Sequence, residues 1–155
     1  MQELRSVFFS GTFGGETVAL AAAKATIDVI RAGEVCPHIW SIGERLRAGL
    51  REIIEASGLE IELQGEAPRS GLQFRIDGEI SPELRGLFLQ ETVRRGVLFG
   101  GPIFTTLAHE AAHIDRTLGA CADAFGVLSK AVENRSVMER LDGKPPGVVF
   151  KPVRS

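Results

Sequence analysis

From Glu16 the chain reads ETVALAAAKATIDVIRAG, with its apolar residues on two helical stripes. Val18, Ala22, Ala25 and Val29 form one, and Leu20, Ala23, Ile27 and Ile30 the other. Residues three and four apart share a helix face, so two stripes predict a helix covered on most of its sides. Gly33 supplies the stop. A second helix is expected from Cys36 or Pro37 to Ser57, with Pro37 in its first turn and Gly58 past its end. Ile39, Ile42, Leu46, Leu50 and Ile53 make its buried stripe, while Glu44, Arg45, Arg47, Arg51, Glu52 and Glu55 read as solvated.

The period then changes from helical to alternating. LEIELQ (Leu59 to Gln64) and GLQFRID (Gly71 to Asp77) read as strands, with EAPRS between them as a loop. Arg75 lies on the strand face opposite Leu72, Phe74 and Ile76, either solvated or lining a cleft. Ser81-Pro82 opens a third helix through about Arg95, with Ser81 as cap and Pro82 in the first helical position. Gly96-Val97-Leu98-Phe99 reads as a third short strand, stopped by Gly100-Gly101-Pro102. The last helix begins near His109 or Glu110, on the stripe Ile114, Leu118, Cys121, Phe125 and Leu128. The proline-rich stretch from Asp142 is expected to be irregular. This order predicts an α+β fold, a layer of helices on a small three-stranded sheet.

Composition narrows the function classes. With 155 residues and 44% apolar content, the chain is long enough for a core that needs no metal or disulfide staple. Eighteen basic against 20 acidic residues leave a formal charge of −2, which does not favour nucleic acid as a partner. No apolar run reaches the about 18 residues of a membrane span, and no signal peptide is visible, so a cytoplasmic protein is expected. Two cysteines make no disulfide framework. Cys121, on the core stripe, reads as inert, and Trp40 as a packing residue.

One motif stands out. His109-Glu110-Ala111-Ala112-His113 matches the H-E-x-x-H of zinc peptidases, in which two histidines one helical turn apart share a metal. Glu133, twenty residues beyond His113, is the third ligand this alternative would need. Against it, the Gly-Gly-Pro and Thr105-Thr106 upstream put His109 at the start of the helix, where a histidine satisfies free N–H groups.

A broader resemblance covers Val7 to Val132. SVFFSGTFGGETVALAAAKATIDVI resembles the glycine-rich turn and interdomain helix that follow the active-site lysine of class III pyridoxal-phosphate aminotransferases. IGERLRAGL, GLQFRI, ETVRRGVLFG and LAHEAAHIDRTLGACADAF are similar, in order, to the helices and strands of the small carboxyl-terminal domain of that family. The aminomutase branch, typified by glutamate-semialdehyde aminomutase, is the nearest in pattern. The resemblance implies a turn and interdomain helix over 1–33, the small domain of a fold-type I transferase over 34–141, and a tail over 142–155. It implies that Gly11 and Thr12 bind the phosphate of pyridoxal 5′-phosphate. It also implies a homodimer, or a complex with a chain carrying the cofactor-binding large domain, and an amino acid or amino-aldehyde substrate. The glycines permit close approach of backbone donors, and a following helix N-terminus adds positive potential.

The chain also departs from the family. The arginine that many members carry ahead of the last helix is missing from GGPIFTTLAH. The lysines are Lys24, Lys130, Lys144 and Lys151, and none occupies the family's Schiff-base position before the glycine-rich turn. The expectation is therefore the carboxyl-terminal portion of an aminotransferase or aminomutase, inactive alone and holding no cofactor tightly. A non-catalytic interaction protein of the same fold is the alternative.

Overall fold

A computed structural model describes residues 15–147. Gly11 and Thr12 lie outside the described residues. The chain divides into two compact units, Met1–Pro37 and His38–Ser155.

In the first unit, α1 spans Thr17–Arg31. Glu16 caps it with its own carboxylate, which accepts the N–H groups of Val18 at 2.9 Å and Ala19 at 2.6 Å. Gly33, at φ +92°, ends it by donating its N–H to the Ile30 carbonyl. The expected covering of α1 is not found: none of its residues is buried among the described residues, and Val18 is 74% exposed. Periodicity reports which residues avoid water, not what shields them.

The second unit carries the core. Helix α2 begins at Val35, just before the division, and runs to Ser57 (Val35–Ser57). Strands β1 (Ile61–Glu66) and β2 (Arg69–Ile76) follow, then β3 (Glu79–Ile80), α3 (Pro82–Arg94), β4 (Ile103–Phe104) and α4 (Ala111–Glu133). A short 3-10 turn, Met138–Arg140, comes after α4. The sheet therefore has four strands rather than three. All its pairings are antiparallel and centre on β2, with β1 along its length and β4 and β3 at its two ends.

Three local expectations are corrected. EAPRS is mostly strand: Glu66 pairs with Arg69, so only Ala67 and Pro68 turn the chain. Asp77 leaves the strand, because Asp77 and Gly78 take φ of +51° and +80°, the two left-handed residues of a tight hairpin turn. Gly96 to Phe99 form no strand. Gly96, at φ +76°, donates to the Val93 carbonyl and Val97 to the Thr92 carbonyl, so this backbone closes α3 as a Schellman cap. The remaining strand forms at Ile103–Phe104, against Ser70 and Arg69.

Helices and sheet bury one cluster. Phe88 lies at its centre, with the rings of Phe74, Phe99 and Phe125 at 5.0, 5.1 and 5.6 Å. Ile42, Leu46 and Leu50 reach it from α2, and Ile114, Cys121, Phe125 and Leu128 from α4. Burial pushes the Cys121 thiol up to about 12, which keeps it protonated and inert. Two α2 side chains depart from expectation. Arg47 is buried and donates to the Gln64 carbonyl at 3.2 Å, while Trp40 is 46% exposed.

Candidate functional site

The segment between α3 and α4 is irregular and carries the polar chemistry. It is short of backbone partners of its own, so side chains fix it. The Thr105 hydroxyl donates to the Ile39 carbonyl at 2.9 Å, and His38 Nε2–H donates to the His109 carbonyl at 2.8 Å. Thr105 N–H extends the β4 side of the hairpin by donating to the Pro68 carbonyl at 3.1 Å. These bonds hold the loop against the start of α2 and the tip of the β1–β2 hairpin.

A cavity of about 540 Å³ opens beside the loop. Its polar lining includes His109, His113, Arg116 and Thr117, and its apolar lining Leu98 and Phe104, both exposed. No carboxylate among the described residues lines it. His109 Nδ1 accepts the Thr106 N–H at 3.0 Å, and His113 Nδ1 accepts the Glu110 N–H at 3.1 Å. A neutral imidazole that accepts on Nδ1 carries its proton on Nε2, so both rings offer Nε2–H. Thr117 spends its hydroxyl on the His113 carbonyl at 2.8 Å. With the Arg116 guanidinium, the cavity wall is rich in donors and suits an anionic or carbonyl-bearing group.

This geometry also sets the H-E-x-x-H residues apart. Glu110 is the N-cap of α4, so His109 precedes the helix and only His113 is on it. Their rings meet edge to face at 6.4 Å. Glu133 ends α4, about 30 Å along the axis from His113 at 1.5 Å per residue. The three do not come together, and no group of three His, Cys, Asp or Glu is gathered among the described residues.

The described lysines lie away from this cavity. Lys24 is exposed on α1 and paired with Asp28 at 3.1 Å, and Lys130 and Lys144 are exposed on α4 and beyond it. None of the three lines the donor-rich cavity. Arg75 bonds to Gln73 and to the Gly78 carbonyl, which fixes the second hairpin. Sequence reasoning missed Arg116 and Phe104, whose roles depend on where an irregular loop returns.

No family model matches the chain. Curated relatives do. Glutamate-1-semialdehyde 2,1-aminomutase of Methanothermobacter thermautotrophicus is 30% identical over 140 residues, 79% of this chain and 32% of the relative. The 2′-deamino-2′-hydroxyneamine transaminase of Streptomyces kanamyceticus is 30% identical over 129 residues, 82% of this chain and 32% of the relative. Among solved structures, the FumI protein of Sphingopyxis sp. MTA144 in its PLP internal aldimine form superposes with a TM-score of 0.72 at 26% identity, over 93% of this chain and 33% of that one. The chain thus spans about a third of the length of these relatives. No helix among the described residues is long and apolar enough to cross a membrane. The class III resemblance read from the sequence is borne out: over most of its length the chain is related, in sequence and in fold, to pyridoxal-phosphate transaminases and aminomutases, and it matches about one third of such a protein.

Proposed function

We propose that this chain is the carboxyl-terminal, small-domain portion of an aminotransferase or aminomutase of the glutamate-semialdehyde aminomutase type. The reactive lysine and the pyridoxal-phosphate-binding large domain belong to the remainder of that protein, on the same polypeptide or on a second one. Amino-group transfer on an amino acid or amino-aldehyde belongs to that complete protein, and Gly11 and Thr12 are its phosphate-binding residues on this chain. The observation that carries the reading is the match of four-fifths of the chain to one third of its relatives, together with four lysines that miss the family's position. In such a protein the loop Gly96–His109 and the first turns of α4 supply a donor-rich wall, with His109, His113 and Arg116 facing an anionic group of the substrate.

The test is reduction with borohydride after incubation of the purified chain with pyridoxal phosphate, followed by peptide mapping and a transaminase assay. The expected result is no stoichiometric adduct on any one lysine and no turnover. A single lysine labelled in full, with a parent absorbance band near the visible edge, would overturn the proposal.

The non-catalytic alternative, a partner subunit with the same fold, is favoured by one observation, the exposed apolar residues of α1. Activity regained on mixing with a lysine-bearing large-domain chain separates the first reading from this one.

A further inference from the structure

A second cavity, of about 440 Å³, lies between the β1–β2 hairpin and the Gly101–Pro102 turn. It is lined by Arg69, Arg85, Ser70 and Gln64, with Gly71 and Gly101 leaving open space where a side chain would stand. Among the described residues, two of its side chains are cationic and none is acidic.

Arg85, on α3, is the unusual member. Of the described arginines that are not fully exposed, Arg47 bonds to the Gln64 carbonyl, Arg75 to Gln73 and Gly78, and Arg95 to Glu91. Arg85 is half-buried, and its side chain has no hydrogen bond or ion pair among the described residues. A second cationic side chain lines the same cavity, and no acidic side chain of that lining balances the two. Arg69 is that second one. Its guanidinium carbon lies 5.8 Å from the centre of the Phe104 ring, a cation–π contact. Glu66 stands opposite Arg69 in the hairpin register, yet no ion pair joins them. In the same lining, the Ser70 hydroxyl is the buried side-chain polar atom without a partner among the described residues.

We infer that Arg69 and Arg85 form a binding site for a small molecule bearing a carboxylate or phosphate, whose oxyanion lies between the two guanidinium groups. A planar fork of donors matches either oxyanion in bidentate fashion. An anion there supplies the negative charge that this lining lacks. The sequence lacks the arginine that many family members carry ahead of the last helix, and these two come from a strand and a helix elsewhere in the chain. The site needs only the second unit, so it exists whether or not another polypeptide completes the cofactor region.

The experiment is a titration of the full chain with inorganic phosphate and, separately, with succinate, at constant ionic strength set by sodium chloride. Binding is read from the amide ¹H–¹⁵N signals of Gly71 and Gly101. Saturable shifts with at least one probe are expected, and the tighter probe identifies the oxyanion. Arg69→Gln and Arg85→Gln should each weaken that binding at least about tenfold, while Arg51→Gln on the exposed face of α2 leaves it unchanged. Linear shifts with both probes, wild-type affinity in Arg69→Gln, or equal weakening by Arg51→Gln would each overturn the assignment. Arg69 is exposed, so its variant decides the matter even if Arg85→Gln fails to fold.

Discussion

Helices α1 and α4 are written in the same alphabet and meet opposite fates. Both are rich in alanine and carry regular apolar stripes. The stripe of α4 is closed into the core, with Cys121 and Leu128 fully buried. On α1, Leu20, Ile27, Val29 and Ile30 are each about half exposed. The difference is not propensity, since both form helices with side-chain or backbone closure at their ends. It lies in partners: α4 has α3 and the aromatic cluster, whereas the described residues bury nothing of α1. Regular apolar spacing therefore states a demand for cover, and only tertiary structure says where that demand is met.

The comparison can be broken most directly at Phe125. Phe125→Ala empties the space beside Phe88 and should destabilise the chain by about 3–5 kcal/mol in denaturant unfolding. A loss below about 1 kcal/mol would mean that the α4 stripe is not the anchor it resembles.

The next effect tests whether the α3 side of this packing is also held by charge. Burial tends to raise the Glu91 carboxyl, but hydrogen bonds from Arg95 and Gln90 and the charges of Arg94 and Arg95 outweigh it and hold the group below the usual carboxylate range. Its ion pairs with Arg94 and Arg95 are both 2.7 Å. A carboxyl lowered on folding stabilises the native state above its unfolded pKa, near 4.3, and that contribution is lost as pH falls through the folded value. Glu91→Gln should cost about 1–3 kcal/mol at neutral pH and flatten the acid side of the stability profile. An unchanged pH profile would remove Glu91 from the account.

Smaller still is the cap of α3. The Ser81 hydroxyl accepts the Leu84 N–H at 3.1 Å, and Ser81→Ala should cost about 1 kcal/mol by thermal or chemical melting. The smallest effect belongs to α1. Ile27→Ala should change the stability of the chain alone by less than about 0.5 kcal/mol. If it destabilises as Phe125→Ala does, α1 is covered in solution, and the contrast between the two helices disappears.

What the sequence revealed follows the same division. Segments whose cause is local were legible. Ser81-Pro82 marked the start of α3, Gly33 and Gly58 marked helix ends, and the Ile114 to Leu128 stripe marked the inward face of α4. Asp77, the first residue of the Asp77-Gly78 hairpin turn, was absorbed into the strand because the preceding alternation was strong. β4 was not legible, since a two-residue strand has no period of its own and exists only because the tip of β2 is there to pair with it. The same holds for the site. The histidine pair was conspicuous, and its position at the helix start could be argued from the turn residues before it. Arg85 was silent, because an arginine on a helix reads as solvated until the wall beside it is known. Gly11 and Thr12 rest on resemblance alone.

The buried hairpin tip has a consequence for how this chain can vary. Gly43 on α2 has no room for a methyl group, because the carbonyl of Ala67 occupies that space. The junction between β1 and β2 is therefore clamped from beneath, and lengthening it would lift the strand end that bears Arg69. Insertions and deletions among natural variants should spare this junction and collect instead around the exposed Asp77-Gly78 bend, which is held only by exposed side-chain bonds from Arg75 and Glu60.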